Sequence, residues 1–149
     1  MGVATYSPKN MVILVGTEQI TGFGDGDMVT VELDEDKFAP YVSVDGEVSR
    51  SHNVANTGKF TFTLNQTSKA NALFTALMQL DLADRSGTSN GIVPIVVRDE
   101  NSFNSGTFYI GTNCWITGMP SSAFGKEITT REWVLQASEI VWSISGNED

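Results

Sequence analysis

Cysteine, histidine and positive charge are all scarce in this sequence. Its 149 residues include one cysteine, one histidine and nine Lys and Arg side chains against 18 Asp and Glu, for a net charge of −9. A single cysteine excludes internal disulfides and clusters of thiolate metal ligands. The acidic excess disfavours a protein that binds nucleic acid through its phosphates, because like charges repel. It remains compatible with a surface that nucleic acid passes without binding.

Long apolar runs are also lacking. No stretch approaches the ~18 residues that a membrane-spanning helix needs, so we expect no membrane partner. The opening residues, MGVATYSPKN, lack the charged and then apolar pattern of a signal peptide. Tyr6 stands where N-myristoylation requires Ser or Thr. We therefore expect a soluble protein that is made in a cytoplasm.

Glycine and short polar residues are plentiful and indicate frequent turns. The chain has 14 glycines, and 40% of its residues are hydrophobic, which is enough for a packed interior. At this length we expect one domain over residues 1–149 with one core.

Strand patterns recur along the chain. The apolar run Met11–Val15 predicts a strand buried on both faces, and Met28–Leu33 and Lys59–Leu64 alternate as half-buried strands do. Further strands are predicted at Ile92–Arg98, Gly106–Gly118 and Glu132–Ile144. Pro94 places its strand at a sheet edge or at a bulge. The last strand changes the face of its apolar residues near Ser138, which predicts a bulge or bend there.

One segment has helical periodicity, at about Ser68–Ala83, with Thr67 or Ser68 as its cap. Its apolar stripe consists of Ala70, Leu73, Phe74, Leu77, Met78 and Leu80. The order of strands, one helix and more strands predicts a mainly β fold, a β-sandwich or small barrel with one flanking α-helix.

A polar segment of roughly 25 residues, Asp34–Gly58, has no clear periodicity. Irregular segments of this length are usually functional or disordered. A short hairpin centred on Asp45-Gly46 is predicted within it, since Asp-Gly is a strong turn signal.

This polar segment contains the residue types of a hydrolase site. They are His52, Ser49, Ser51, Asp45 and Glu47. No G-x-S-x-G motif surrounds these serines, and residues this close in sequence rarely converge as a catalytic triad. We interpret the segment as a solvated loop and predict no catalytic residues.

Two other site classes also fail. Counted from Asp34, position six of a calcium loop is Ala39 instead of Gly, and position twelve is Asp45 instead of Glu. We predict no metal and no cofactor. Trp115, Trp133 and Trp142 leave a carbohydrate-binding β-sandwich open as an alternative, although tryptophans in long strands are more often core or interface residues.

Four segments together resemble the tail tube proteins of bacteriophages with contractile tails. They are TYSPKNMVILVG, DEDKFAPYVSVDGEVSRS, GKFTFTLNQTSKAN and AFGKEITTREWVLQASEI, which occur in this order along nearly the whole chain. The resemblance implies a fold similar to that of type VI secretion tube proteins. It also implies hexameric rings that stack into a tube for DNA passage, in a virion whose parts are made in the host cytoplasm.

The resemblance further implies that Asp34–Gly58 reaches neighbouring subunits and the next ring. The residues implied at contacts between subunits are Asp34, Asp36, Lys37, Asp45, Glu47, Arg50 and His52. We expect an acidic lumen, with candidates Glu18, Asp25, Asp27, Glu32, Asp99 and Glu100. We expect the sheath to meet the polar face of the helix at Lys69, Gln79 and Asp81.

The implied partners are further copies of the chain, the tail sheath protein, baseplate and tail terminator proteins, and the tape measure protein. DNA would pass through the lumen without specific binding. Two related machines remain open as alternatives, a phage-tail-like bacteriocin and a secretion system, because their tubes share this fold.

Overall fold

The computed structural model describes residues 5–24, 26, 28–84, 91–101 and 106–145. A short 3-10 helix, Pro8–Asn10, precedes the first strand, and one α-helix, α1, spans Ala70–Ala83. The strands are β1 Met11–Val15, β2 Glu18–Gln19, β3 Val29–Leu33, β4 Phe38–Val42, β5 Val48–His52, β6 Gly58–Asn65, β7 Val93–Asp99, β8 Phe108–Ile116 and β9 Thr130–Ser143.

Seven strands form one antiparallel sheet in the order β2-β1-β7-β8-β9-β6-β3. The sheet curls, because the chain after β2 pairs with β6 near the other end of the sheet. Phe23 forms a bridge with Leu64 of β6, and the Gly24 N–H donates to the Thr63 carbonyl at 3.1 Å. This curled sheet with a single helix among the described residues confirms the predicted fold class.

Aromatic side chains from β6, β9 and α1 build the centre of the core. Phe60, Phe62 and Leu64 alternate inward from β6 and are fully buried, while the threonines between them are half-buried. The ring of Phe74 on α1 lies 5.5 Å from that of Phe62 and 5.4 Å from that of Trp133. Burial of each such side chain contributes about 1.5–3 kcal/mol, so the helix is held mainly by its apolar face.

The helix begins two residues later than predicted, at Ala70, whose N–H donates to the Ser68 hydroxyl oxygen at 3.2 Å. The apolar stripe is right except at Leu80, which is 51% exposed. At 3.6 residues per turn, Leu80 lies at the edge of the stripe, about 120° around the helix from the buried Phe74. No helix within the described ranges is long and apolar enough to cross a membrane.

Burial alternates along β1 more strongly than the sequence suggested. Ile13 and Val15 are buried, whereas Val12 and Leu14 are only half-buried, so the prediction of two buried faces was wrong. The reason is that β1 lies next to the two-residue edge strand β2, where its second face is incompletely covered.

Strands β8 and β9 change their buried face at the same level of the sheet. On β9, Ser138 and Glu139 are both exposed between buried neighbours, which confirms the predicted bend. On β8, Thr112 and Asn113 are likewise both exposed, and Asn113 has a φ of 50°, which Asn tolerates better than most residues. The Ser138 hydroxyl donates to the Thr112 carbonyl at 2.8 Å and links the two bends.

Pro94 lies in a central strand, because β7 pairs with both β1 and β8. Of the two positions predicted for it, the bulge is the one observed, since the register of β7 against β8 shifts between Val93 and Ile95. The shift fits the missing N–H of proline.

Candidate assembly surfaces

A projecting hairpin, β4–β5, occupies most of the segment that was predicted to be irregular. The hairpin around Asp45-Gly46 is confirmed, and it is longer than expected, with five residues in each strand. Every residue of both strands is exposed. The two strands form a sheet separate from the curled one. The hairpin therefore has two faces that its own chain leaves uncovered.

The tip of the hairpin is ordered by local hydrogen bonds. The Gly46 N–H donates to the Ser43 carbonyl at 2.9 Å, and Gly46 has a φ of 86°, which glycine adopts without strain. The Asp45 carboxylate accepts hydrogen bonds from the Ser43 hydroxyl and the Glu47 N–H. These bonds, that from Ser43 first, lower the pKa of Asp45.

The base of the hairpin is fixed by polar side chains of the same segment. The Lys37 ammonium donates to the Ala55 carbonyl at 2.9 Å and to Asn56 Oδ1 at 2.6 Å. The Asn53 amide donates to the Glu35 carboxylate, and the Asn56 carbonyl accepts the Ile140 N–H of β9 at 2.9 Å. The hairpin is consequently joined to the curled sheet through ordered connections.

Asp34 ties the same base to β6 and β9. Its carboxylate accepts a hydrogen bond from Gln136 Nε2 at 2.8 Å and lies 3.8 Å from the Lys59 ammonium. The Gln136 hydrogen bond is the main cause that lowers the pKa of Asp34, with smaller contributions from Thr57 and Lys59. The Asp34 side chain is therefore engaged in contacts within its own chain.

One face of the hairpin is apolar with a cation at its centre. Phe38 and His52 are cross-strand partners whose rings stack with centroids 5.1 Å apart. The guanidinium carbon of Arg50 lies 4.1 Å from the centre of the Phe38 ring. Val42 and Val48 pair on this same face, 62% and 68% exposed. We call these residues, together with Pro40, the hairpin face.

The residues predicted for subunit contacts thus fall into two groups. Asp34, Lys37 and Asp45 are engaged within the chain as described above. The other four are exposed: Asp36, Glu47, Arg50 and His52. For Asp34, sequence reasoning missed this role because its partner Gln136 lies 102 positions away along the chain.

A second uncovered surface is an apolar groove between β3 and the end of β9. Its lining consists of Val31, Glu32, Leu33, Tyr109, Ile140, Trp142 and Ile144. Trp142 is 50% exposed and Ile144 65% exposed, large fractions for such apolar side chains. After the change of face in β9, Trp142 and Ile144 share the side of the buried Ile140 and extend beyond the core as its partly exposed margin. We call this surface the β3–β9 groove.

The predicted lumen residues are scattered over the fold. Glu18 on β2 and Glu32 on β3 are exposed. Glu100 is exposed, and its carboxylate lies 3.4 Å from Arg98 Nε. Asp25 and Asp27 lie outside the described residues.

Asp99 departs from that prediction because it is buried, with 5% of its surface exposed. Its carboxylate accepts hydrogen bonds from the Asn101 N–H and side-chain amide at 2.9 and 2.6 Å. Asn101 in turn accepts the Ser7 N–H at 2.9 Å and donates to the Ser7 carbonyl at 3.2 Å. Asp99 thus helps to hold the segment before β1 against the end of β7.

The predicted sheath-facing residues do not share one side of α1. Lys69 precedes the helix and Gln79 is exposed, but Asp81 is half-buried. Two residues apart on a helix, Gln79 and Asp81 point to nearly opposite sides. The exposed helix positions are uncharged: Ala72, Thr75, Ala76, Gln79, Leu80, Leu82 and Ala83.

The tryptophans do not form a single platform. Trp133 is in the core, Trp115 is half-buried, and Trp142 lies in the β3–β9 groove. Within the ranges that the structure describes, no group of three or more His, Cys, Asp or Glu could hold a metal ion.

Known proteins share both the sequence pattern and this fold. The Structural protein ORF10 of Pseudomonas phage KPP10 is 28% identical, with 97% of this chain and 84% of the relative covered. A chain from the sheath/tube terminator of PVC, an extracellular contractile injection system in its extended state, has 14% identity and a TM-score of 0.62, covering 93% of this chain and 96% of that one. The tube terminating cap of the anti-feeding prophage AFP has 16% identity and a TM-score of 0.57, covering 97% of each chain.

A chain from the PVC sheath-tube complex in the extended state also matches, with 15% identity and a TM-score of 0.58 over 94% of this chain and 92% of that one. At these identities the solved structures establish the fold alone. The profile of the Bacteriophage PhiTE tail tube protein family matches residues 4–144. This chain belongs to that family of phage tail tube proteins.

Proposed function

We propose that the chain polymerises as stacked hexameric rings into the inner tube of a contractile phage tail. The tube is a channel through which DNA passes into the host. The observation that carries the proposal is the ordered hairpin, β4–β5, which is exposed along both strands and has an apolar face. A lone subunit leaves this face in water, whereas a neighbouring subunit would bury it.

The mechanism is assembly without catalysis. Joining subunits around a ring covers the free edges of the curled sheet at β2 and β3, which otherwise invite uncontrolled pairing. Contacts between rings are heterologous, so that each ring presents a surface for the next one.

The lumen is acidic in this proposal and repels DNA phosphates, so that the genome moves without binding. Its candidates are Glu18 and Glu32, which are exposed and form no salt bridge among the described residues. The charge of Glu100 is partly neutralised by Arg98. Asp99 is omitted because it is buried. A Glu18→Lys tube should slow DNA ejection relative to Glu18→Gln. Equal ejection kinetics for the two variants would contradict this role for Glu18.

The proposed partners outside the tube are the tail sheath, baseplate and tail terminator proteins, with a tape measure protein in the lumen. The similar solved structures include a sheath-tube complex and a sheath/tube terminator, which supports this set. The proposed sheath contact is the uncharged exposed side of α1 around Thr75 and Gln79. A paired Thr75→Glu and Gln79→Glu change should weaken sheath binding while leaving the tube intact.

The direct test is negative-stain electron microscopy of the purified protein, alone and with its baseplate, over a range of concentrations. Six-fold rings or stacked tubes with a central channel are the expected result. Monomers that never assemble, even with baseplate present, would contradict the proposal.

A bacteriocin or secretion particle remains the second candidate, because the solved neighbours include contractile injection systems. Neighbouring genes for a capsid and DNA packaging would favour the phage tail, and their absence would favour the injection particle. No feature of the three tryptophans favours the carbohydrate-binding alternative.

A further inference from the structure

The groove between α1 and the loop that joins β8 to β9 contains a cation with no acid beside it among the described residues. It is lined by Asn71 and Thr75 of α1, by Met119 and Phe124 of the loop, and by Arg131 near the start of β9. We call it the Arg131 groove. We propose that it binds an acidic peptide segment of another protein, with a carboxylate on Arg131 and an apolar side chain against Phe124 and Met119.

Arg131 is buried, yet its charge is not neutralised within the described part of the chain. Only 7% of its surface is exposed, since it points inward from β9 on the same face as Trp133. Neither of the two salt bridges among the described residues includes it. Burial of a charge is costly unless the charge is paired, so a buried guanidinium usually has a carboxylate partner. An acid from outside the chain would supply that partner.

One edge of the Arg131 guanidinium is held by the chain and the other is open. Its Nη1 donates to Thr129 Oγ1 at 2.7 Å and to the Thr130 carbonyl at 3.2 Å. Nε and Nη2 donate to no protein atom within the described ranges, and neither nitrogen is shut off from solvent. Nε and Nη2 form the edge of a guanidinium that can bind both oxygens of a carboxylate through parallel hydrogen bonds. The open edge therefore has the geometry that an acidic side chain needs.

The loop supplies an apolar surface beside that edge. The guanidinium carbon of Arg131 lies 5.0 Å from the centre of the Phe124 ring, a contact that helps to fix the guanidinium plane. Phe124 and Met119 are each 83% exposed, which is a large fraction for apolar side chains that line a groove. On the α1 side, Asn71 accepts the indole N–H of Trp133, and the Thr75 hydroxyl donates to the Asn71 carbonyl at 2.8 Å. Recognition in this groove thus depends on one charge with an apolar flank.

Charge complementarity favours an acidic peptide over the other possible occupants. A nucleic acid carries a phosphate at every nucleotide, and a chain with a net charge of −9 repels it. A small anion would leave Phe124 and Met119 in water. A second copy would bring another net charge of −9 against this one, whereas a partner protein can present an acid on a neutral or basic surface. The site goes beyond the proposed function, because a single subunit contains all of it.

Nuclear magnetic resonance of the isotopically labelled subunit, below the concentration at which it polymerises, tests the site. The probes are acetyl-Leu-Glu-Leu-amide and acetyl-Leu-Gln-Leu-amide, which differ in the charge of one side chain. The glutamate peptide should shift the signals of the Arg131 Nε–H and the Trp133 indole N–H, because both side chains line the groove. The glutamine peptide should bind about tenfold more weakly, since it lacks the charge-assisted hydrogen bonds. Equal affinity for the two peptides, or no shift with either, would overturn the proposal.

Three variants locate the contact. Arg131→Gln should abolish the preference for the glutamate peptide, and Phe124→Ala should weaken its binding about threefold. Arg98→Gln is the matched control, because Arg98 is an exposed arginine of β7 beside Glu100 and should leave the affinity unchanged. If Arg131→Gln does not fold, Phe124→Ala and the peptide pair still decide, since neither replaces a buried residue. Wild-type affinity in Phe124→Ala, or an equal loss in Arg98→Gln, would contradict the assignment.

Two further measurements separate the competing occupants. Acetate that shifts the same signals at the same concentration as the glutamate peptide would reduce the groove to a site for small anions and overturn the peptide assignment. Shifts of these signals with protein concentration alone would assign the groove to a second copy and would overturn it equally. Neither outcome bears on the proposed tube, which electron microscopy tests separately.

Discussion

The indole N–H of Trp133 donates to Asn71 Oδ1 at 2.9 Å, joining the core strand β9 to the first turn of α1. The Asn71 amide also donates to the Asn65 carbonyl at 2.9 Å and the Ser68 carbonyl at 3.1 Å. The Asn71 side chain therefore provides the acceptor for a nearly buried indole N–H and also fixes the backbone at the start of the helix. An amide in such a partly buried hydrogen-bond network contributes more to the stability of the fold than a solvent-exposed amide does.

Replacement of Asn71 by Ala should lower the free energy of unfolding by about 1–3 kcal/mol, because the indole N–H of Trp133 loses its acceptor. Urea unfolding followed by tryptophan fluorescence measures the change. Asn71→Asp is the comparison variant, since it keeps an acceptor for Trp133 while a carboxylate replaces the amide donor. A stability for Asn71→Ala equal to that of wild type would contradict the role given to this bond.

Gly58 lies where β6 approaches β3 and β9 too closely for a side chain. A Cβ at this position would lie 2.5 Å from the Glu32 carbonyl oxygen and would also collide with the Ile140 side chain. Gly58→Ala should therefore destabilise the fold by about 1–3 kcal/mol through overpacking. Thermal unfolding measures this loss of stability. Gly118→Ala is the control, because a Cβ at Gly118 would have no heavy atom within 4 Å. Equal losses for the two variants would show that packing at Gly58 is not the cause.

Burial raises the pKa of the Cys114 thiol from 9.0 to about 11. Because the folded value lies above the unfolded one, the associated stability is present below pH 9.0 and is lost as pH rises towards 11. Wild type should lose more stability between those values than Cys114→Ala does. Urea titrations at several alkaline pH values measure the difference, and parallel pH profiles would contradict it. In native protein at neutral pH, thiol reagents should label Cys114 only after unfolding.

Asp34 has the opposite dependence on pH. Its folded pKa is lowered from 3.8, so its contribution is present above that value and is lost as pH falls further. We expect hydrogen exchange in residues 35–57 to accelerate at acid pH relative to the β6 amides, after correction for the intrinsic rate. Asp34→Ala should produce this acceleration already at pH 7, and Asp36→Ala, an exposed neighbour, should not. Similar protection in both variants would mean that the base of the hairpin does not depend on Asp34.

Local patterns sufficed for most of the elements, although β2 and the full length of β4 and β5 were not predicted. Alternation located β3 and β6, the 3.6-residue stripe located α1 to within two residues, and Asp45-Gly46 located the hairpin tip, because each depends on neighbours in sequence. The resemblance to tail tube proteins gave the family. Leu80 was misplaced because a residue at the edge of the stripe fits the helical period whether or not the core covers it.

The surfaces were harder to predict, since they depend on pairings between distant residues. The β3–β9 groove brings Leu33 beside Ile144, and Asp34 reaches Gln136. Asp99 looked like a surface acid until its contact with Asn101 was visible. In advance, only the change of face of the apolar residues near Ser138 indicated that the end of β9 packs differently from its start.

An ordered hairpin has a consequence for when the polymer forms. Little conformational entropy is lost on docking a segment that is already folded, so association is favourable at low subunit concentration. What delays it is the mutual repulsion of chains that each carry a net charge of −9. Salt screens this repulsion over about 8 Å at physiological ionic strength. The threshold concentration for spontaneous polymerisation should accordingly fall as salt is added, so that ionic strength sets how far the free subunit lies from self-assembly.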